Sequence, residues 1–211
     1  MGAWIWRAGT EADGALSPEE GARVERLLDA GKRATTRRFL LQRRQLLAQL
    51  LARAASEVRI GHDGEGRPFL PDFPDIAVSL SDSEGWNALV ITSEKRVGID
   101  IEAIRALGWQ AMLPMMAGAD EAERIRAAVE AAGHPVPFFR AWAVKEAVLK
   151  AAGTGMRGGA PRVRLTPGLL QGQSDRAYIV HEDVTYDVQT MTIPDYSTAS
   201  PALVVTRALP A

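Results

Sequence analysis

The chain has 211 residues, contains no cysteine and carries a formal net charge of −1 at pH 7. The lack of cysteine excludes disulfides and thiolate chemistry and fits a reducing compartment, so we expect a cytoplasmic protein. The near-neutral charge favours neither nucleic acid nor an anionic membrane as a partner. Since no apolar run reaches membrane-spanning length and the N-terminus lacks a signal-peptide pattern, we expect no membrane association.

Two helices are predicted in the first part of the chain. Ser17 precedes a proline and two glutamates, the pattern of a helix cap, and we expect this helix to run to about Ala30. A second, leucine-rich helix is predicted over residues 35–55, with several arginines on its other side. Arg44 belongs to this basic face. For each of these arginines, a plain solvated face remains the alternative interpretation.

The middle of the chain is predicted to form strands. Residues 76–80 and 86–91 indicate a β-hairpin, and residues 96–101 indicate a neighbouring strand. The second half begins with short helices, continues with a long helix to about Ala152 and ends in three strands. We expect the residues at the C-terminal end to be loose.

Asp100 and Glu102 stand in an alternating strand pattern, so both side chains project from the same face. Adjacent carboxylates repel each other, and an oxygen-binding cation such as Mg²⁺ would relieve the repulsion. The alternative is a solvated strand edge on which the two carboxylates pair with Arg96 or Arg105.

Glu146 and Lys150 lie four residues apart in the long helix, and therefore share one helical face. Trp142 precedes Glu146 by the same spacing. Glu146 could supply a third carboxylate to the acidic pair. The alternative is an ordinary surface Glu–Lys pair worth a few tenths of a kcal/mol.

The segment Gly98–Glu102 reads Gly-Ile-Asp-Ile-Glu, and Trp142–Lys150 reads Trp-x-x-Lys-Glu-Ala-x-x-Lys. Together they resemble the signature of the 4′-phosphopantetheinyl transferases, specifically the longer, pseudo-dimeric (surfactin-synthetase-activating) class. The resemblance extends over nearly the whole chain. It implies an α+β fold of two similar halves with pseudo-twofold symmetry, here residues 1–103 and 104–211. It also implies an active site between the halves and a monomer.

The resemblance implies transfer of 4′-phosphopantetheine from coenzyme A to a serine of an acyl or peptidyl carrier protein. The implied metal ligands are Asp100, Glu102 and Glu146, which would hold Mg²⁺. The implied catalytic residues are Glu146, Lys150 and Asp100, with Glu146 accepting the serine proton and Lys150 meeting the phosphates. The residues implied to contact coenzyme A are Lys32, Arg44, Arg67, Ser81, Asp82 and Lys150.

Two segments depart from the family pattern. Asp82 stands between Ser81 and Ser83 where relatives carry histidine, and residues 116–121 have lost much of a Phe-Ser-x-x-Glu segment. These departures leave two alternatives open: a family fold with a degenerate coenzyme A site, repurposed for another reaction on carrier-bound substrates, and a non-catalytic carrier-protein binding module. The intact set of three carboxylates and Lys150 favours the transferase, because an abandoned metal site should lose its carboxylates first.

Overall fold

The computed structural model describes residues 2–7, 14–155, 159–195 and 200–211. The strands are β1 (Gly2–Arg7), β2 (Gly61–His62), β3 (Pro68–Phe69), β4 (Ala77–Ser83), β5 (Trp86–Thr92), β6 (Gly98–Ala103), β7 (Arg176–His181), β8 (Val184–Asp195) and β9 (Ser200–Pro210). The α-helices are α1 (Pro18–Glu25), α2 (Ala30–Leu51), α3 (Leu113–Met116), α4 (Ala119–Ala132), α5 (Val136–Ala152) and α6 (Pro167–Leu170).

The larger strands form two antiparallel sheets. The first has the strand order β1-β5-β4, and the second has the order β6-β9-β8-β7, while β2 and β3 form a separate short pair. This mixture of helices with antiparallel sheets confirms the predicted α+β class. The pseudo-twofold relation between two halves stays a prediction.

Each sheet is covered by one long helix. Leu47 of α2 packs with Val78 and Leu89 of the first sheet, whereas α5 packs on the second sheet within the largest hydrophobic cluster. A third cluster joins the two sheets and includes Val90 from β5 and Ile101 from β6. The strand β6 therefore has the first sheet on one side and α5 on the other.

The C-terminal strand β9 lies in the interior of the second sheet, between β6 and β8. It extends to Pro210, Ala208 is fully buried, and the Ala211 N–H donates to the Thr185 carbonyl at 2.8 Å. The expectation of a loose C-terminal end was therefore wrong, because this segment supplies backbone partners to two neighbours. The same pairing places residues 98–103 in the second sheet, although the sequence assigned them to the first half. The division at residue 103 stays a prediction.

The N-terminal helices differ from the expected bounds. The cap at Ser17 is present, with Glu20 completing a reciprocal capping box, but α1 ends at Glu25 rather than near Ala30. The next helix begins at Ala30 because the Asp29 side chain accepts a hydrogen bond from the Lys32 backbone N–H at 2.6 Å. A second cap signal therefore lies inside the segment that the sequence assigned to the first helix.

Gly98 allows β6 and α5 to approach closely. A Cβ atom at this position would lie 1.9 Å from the Ala147 carbonyl oxygen and 2.7 Å from the Ala151 nitrogen. Only glycine fits such a backbone approach. The contact brings the face of α5 that carries Glu146 and Lys150 towards the acidic strand. Among the helices in the described parts of the chain, none has the length and apolar character needed to cross a membrane.

Candidate active site

Lys150 of α5 and Asp100 of β6 form an ion pair between helix and sheet. The Lys150 ammonium donates to Asp100 Oδ1 at 2.6 Å, to Ser81 Oγ at 3.0 Å and to the Ile99 carbonyl at 3.1 Å. The Ser81 hydroxyl in turn donates to Asp100 Oδ1 at 2.8 Å. Asp100 is only 3% exposed. The Glu–Lys spacing in the helix therefore places Lys150 on the acidic strand rather than in solvent.

Glu102 projects from the same face of β6 and has its own partners. It accepts a hydrogen bond from the Ser83 hydroxyl at 3.0 Å and from the Arg105 guanidinium at 3.1 Å. The pairing with Arg105 was one of the two sequence-based interpretations of the acidic strand, and the structure contains it. Each carboxylate of β6 therefore meets one serine of β4 and one cationic side chain.

Glu146 completes the acidic group from the helix side. Burial raises the pKa of Glu146, and the negative charges of Asp100 and Glu102 raise it further, while Lys150 lowers it. Burial is also the main cause that raises the pKa values of Asp100 and Glu102. Among the described residues, the Glu146 carboxylate has no hydrogen bond or ion pair. The three acids are thus close enough to oppose one another's ionisation.

The capacity of this group to hold a metal rests on its donor chemistry. Within the described ranges, no three His, Cys, Asp or Glu side chains are arranged as a ready-made metal site. Lys150 and Arg105 already bind oxygens of Asp100 and Glu102. However, Asp100 Oδ2 is buried and has no hydrogen-bond partner in the described part of the chain. Three carboxylates facing two cationic side chains leave one excess negative charge, and carboxylate oxygens suit Mg²⁺. The residues therefore fit Mg²⁺ chemically.

Comparisons with known proteins cover both motifs of this candidate site. The family model described as the 4′-phosphopantetheinyl transferase superfamily matches residues 96–189, which include both the acidic strand and the α5 motif. The 4′-phosphopantetheinyl transferase Sfp of Bacillus subtilis strain 168 is 26% identical over 160 residues, covering 70% of each chain. A 4′-phosphopantetheinyl transferase of Bacillus subtilis is 29% identical over 168 residues, again covering 70% of each.

A third relative, the 4′-phosphopantetheinyl transferase HetI of Nostoc sp. strain PCC 7120, is 30% identical over 152 residues, which are 67% of this chain and 61% of HetI. The chain belongs to the 4′-phosphopantetheinyl transferase superfamily. The family recognised from the two motifs is thereby confirmed, as is its assignment as a transferase enzyme.

Arg67, one of the residues assigned to coenzyme A, shares a cavity with Lys150. Both line a cavity of about 180 Å³, together with Ser79 and Gly153. Arg67 is held by an ion pair with Asp63 at 3.1 Å. The chain therefore presents two cationic side chains to a single cavity next to the acidic strand. One comes from residues 1–103 and the other from residues 104–211.

The structure does not bring the remaining predicted coenzyme A contacts to this cavity. Arg44 is buried, pairs with Glu20 at 2.5 Å and lines a different cavity of about 830 Å³. Lys32 is exposed in the first turn of α2. Asp82 is exposed on β4, whereas its neighbour Ser81 is buried and bonded to Asp100. The roles assigned to these four residues at coenzyme A stay predictions.

The altered segment at residues 116–121 ends in a buried ion pair. Glu121 forms an ion pair with Lys145 at 2.8 Å, and both side chains are almost fully buried. Lys145 also donates to the Ala160 and Val163 carbonyls, and Glu121 accepts from the Leu165 N–H at 2.8 Å. Because α4 and α5 are joined here, the lysine preceding Glu146 fixes the helix that presents it.

The sequence reasoning assigned no role to Ser83 and treated Arg105 only as an alternative partner. Both hold Glu102 in the structure. The signal that could have found Ser83 is the serine at every second position of residues 79–83, since alternate residues of a strand share one face.

Proposed function

We propose that this chain transfers 4′-phosphopantetheine from coenzyme A to a serine hydroxyl of an acyl or peptidyl carrier protein in a Mg²⁺-dependent reaction. The observation that carries the proposal is the convergence of Asp100, Glu102, Glu146 and Lys150 from β6 and α5. Membership of the superfamily supports phosphopantetheine transfer to carrier proteins in general. The dependence on Mg²⁺ and the roles of individual residues are our inference.

Glu146 is the group suited to accept the serine proton. Its carboxylate is half-buried, and its pKa is raised by burial and by the neighbouring acids. A general base works best when its pKa approaches the working pH, because the base must be both ionised and basic enough to take the proton. Burial beside Asp100 moves Glu146 in that direction.

Lys150 is suited to bind the phosphates of the donor. Its side chain is 28% exposed, and its ammonium lies where the acidic strand meets the cavity shared with Arg67. As a point charge, Lys150 would stabilise the negative charge that develops on the leaving phosphate, and the Arg67 fork can bind a second phosphate group in a bidentate manner. Positioning and electrostatics are the main contributions that a protein makes to phosphoryl transfer.

Asp100, Glu102 and Glu146 are the residues that would hold Mg²⁺. When bound, Mg²⁺ supplies charge neutralisation to the phosphates of coenzyme A. The buried Asp100 Oδ2, which has no hydrogen-bond partner among the residues that the structure describes, is the oxygen best prepared to act as a ligand. A metal ion that takes this oxygen also lowers the repulsion among the three carboxylates.

The test is intact-mass spectrometry of an apo carrier protein incubated with this chain and coenzyme A, with Mg²⁺ or with a chelator. We expect the mass of the carrier to increase by one phosphopantetheine group only when Mg²⁺ is present. An unmodified carrier in both samples would contradict the proposal and favour a repurposed member of the fold. Modification in the presence of the chelator would contradict the metal assignment alone.

A further inference from the structure

The strands β4 and β6 lie side by side at the junction of the two sheets without forming a backbone ladder. Each is the terminal strand of its own sheet. Three serines occupy alternate positions of β4 and face β6: Ser79, Ser81 and Ser83, which are 4%, 9% and 8% exposed. We call these residues the serine stripe. Buried hydroxyls require hydrogen-bond partners, and here all of these partners lie on or next to β6.

Two residues of the serine stripe accept hydrogen bonds from β6 N–H groups, as the backbone carbonyls of a paired strand would. The Ser79 hydroxyl accepts the Ile99 N–H at 3.1 Å, and the Ser83 hydroxyl accepts the Ala103 N–H at 3.1 Å. These bonds satisfy two buried N–H groups of β6 that face another sheet. The stripe therefore holds the acidic strand at both of its ends.

The stripe also contacts the carboxylates directly. The Ser81 hydroxyl donates a hydrogen bond to Asp100 Oδ1 at 2.8 Å, and the Ser83 hydroxyl donates one to Glu102 Oε2 at 3.0 Å. Across the described residues Ser79 has no carboxylate partner, and its neighbour on β6 is the backbone of Ile99. Ser83 thus bonds both to the backbone of β6, at Ala103, and to the side chain of Glu102.

We propose that Ser83 is a positioning residue that sets the Glu102 carboxylate for binding of a divalent cation. This inference rests on the proposed function, because it takes Glu102 as a metal ligand. Glu102 has a long side chain, and its other partner, Arg105, is 36% exposed. An exposed arginine neutralises charge but fixes geometry poorly, whereas the buried Ser83 hydroxyl is anchored to the Ala103 N–H. Ser83 therefore fixes the direction in which Glu102 presents its oxygens.

The size of the effect follows from the role of groups that orient metal ligands. Removing a hydrogen-bond partner of a ligand typically weakens metal affinity or activity by about 10–100-fold. For Ser83→Ala we expect a change at the lower end of this range, about tenfold, because Arg105 remains bonded to Glu102.

The experiment compares Mn²⁺ binding to the full chain by electron paramagnetic resonance in wild type, Ser83→Ala, Ser83→Thr and Ser79→Ala. Mn²⁺ shares the oxygen-ligand preference of Mg²⁺ and is directly visible. Ser79→Ala is the matched control for Mn²⁺ binding measured without coenzyme A, because it also removes one serine bond to a β6 N–H. Ser83→Thr keeps the hydroxyl. A second readout is the split between kcat and the KM for Mg²⁺ in carrier modification.

We expect Ser83→Ala to weaken Mn²⁺ binding about tenfold and to raise the KM for Mg²⁺ with little change in kcat. Ser83→Thr and Ser79→Ala should bind Mn²⁺ like the wild type. Wild-type affinity in Ser83→Ala would overturn this inference alone. Equal weakening in Ser79→Ala would also overturn it, because the effect would then come from loosening of the two strands. A wild-type chain that binds no Mn²⁺ would overturn both this inference and the metal assignment of the proposed function.

Discussion

Two buried charged clusters in this chain are built in opposite ways. In the cluster between α1 and α2, both oxygens of Glu20 meet a cation: Oε1 pairs with Arg43 at 2.7 Å and Oε2 pairs with Arg44 at 2.5 Å. In the cluster between β6 and α5, one oxygen of Asp100 pairs with Lys150, and the other is buried with no partner within the described ranges. We call the first cluster closed because both oxygens of its carboxylate are paired, and the second open because one oxygen of Asp100 is unpaired and three acids face two cationic side chains.

The ionisation of the acids shows the same difference. Burial acts to raise the pKa of Glu20, but the hydrogen bonds from Ser17, Arg44 and Arg43 outweigh it, and the net pKa is lowered. In the second cluster burial prevails, and the pKa of Glu146 is raised. A closed cluster stabilises the fold, whereas acids that are buried and only partly compensated favour the binding of a further cation. Arginine-rich helices and acidic strands can therefore look equally functional in a sequence although their charges are paired differently in the structure.

The largest expected effect comes from opening the closed cluster. Glu20→Ala would leave two buried guanidinium groups without their partner, which should lower the free energy of unfolding by about 3–5 kcal/mol. Chemical denaturation followed by circular dichroism measures this. Glu19→Ala, on the same helix turn but exposed, is the control and should unfold like the wild type. Equal stability of the two variants would contradict the structural role of Glu20.

The same cluster predicts a pH dependence of stability. Because the folded-state pKa of Glu20 lies below its unfolded value, its contribution is complete above the unfolded pKa and is lost as pH falls through the folded pKa. We therefore expect the stability difference between wild type and Glu20→Gln to shrink in acid. Denaturation curves of both proteins from neutral to acidic pH would show this. A difference that stays constant down to strongly acidic pH would contradict the assignment.

Removing one acid from the open cluster should affect activity rather than folding. Asp100→Asn keeps the size of the side chain and an acceptor for Ser81 but removes a charge, and carrier modification should fall by about 10²–10³-fold. Lys150 is partly exposed, so it can be solvated after losing its partner. Asp72→Asn breaks an exposed ion pair with Arg59 and serves as the control. Wild-type transfer rates in Asp100→Asn would exclude a role of this carboxylate in the reaction.

A change in the spacing between β6 and α5 should affect both stability and activity. Gly98→Ala places a methyl group against the backbone of Ala147, so α5 must move away from the acidic strand. We expect a loss of about 1–3 kcal/mol in stability and reduced transfer. Gly21→Ala has open space around its Cβ and should not lower stability. Unchanged activity in a folded Gly98→Ala variant would show that the close contact is not needed for the site.

The smallest effect is expected at Asp82. The family resemblance assigns a histidine at this position to the 3′-phosphate of coenzyme A, and Asp82 presents the opposite charge from an exposed position. A residual repulsion of about 1.4 kcal/mol would weaken binding about tenfold and favour dephospho-coenzyme A. Calorimetric titration of both donors against wild type and Asp82→His measures this preference. An affinity ratio that does not change on substitution would show that Asp82 does not sense the 3′-phosphate.

The sequence alone predicted the parts of the site that depend on local periodicity. Alternation placed Asp100 and Glu102 on one face of a strand, and helical spacing placed Glu146 and Lys150 on one face of α5. It could not predict that Arg44 is buried, because the partner that buries it lies 24 positions away on another helix. The role of Gly98 likewise depends on a contact between two separate elements.

The residues after the predicted last strand show the same limitation of sequence reasoning. Residues 207–210 are ordered by pairing with β6 and β8, and the register of these pairs is set by strands that are distant in the sequence. The role of Ser83 was predictable only in part. Its alternation with Ser79 and Ser81 was visible in the sequence, but its contact with Glu102 was not.

The most direct test of the contrast between the two clusters is intact-mass spectrometry of an apo carrier protein incubated with coenzyme A, Mg²⁺ and either Glu146→Gln or Glu20→Gln. Both reactions are run at a temperature at which circular dichroism shows the two variants folded. We predict that Glu146→Gln modifies the carrier at least about 10²-fold more slowly than the wild type, since it lacks the general base, while Glu20→Gln works at nearly the wild-type rate. Transfer by Glu146→Gln at the wild-type rate, or its loss in folded Glu20→Gln, would contradict the account.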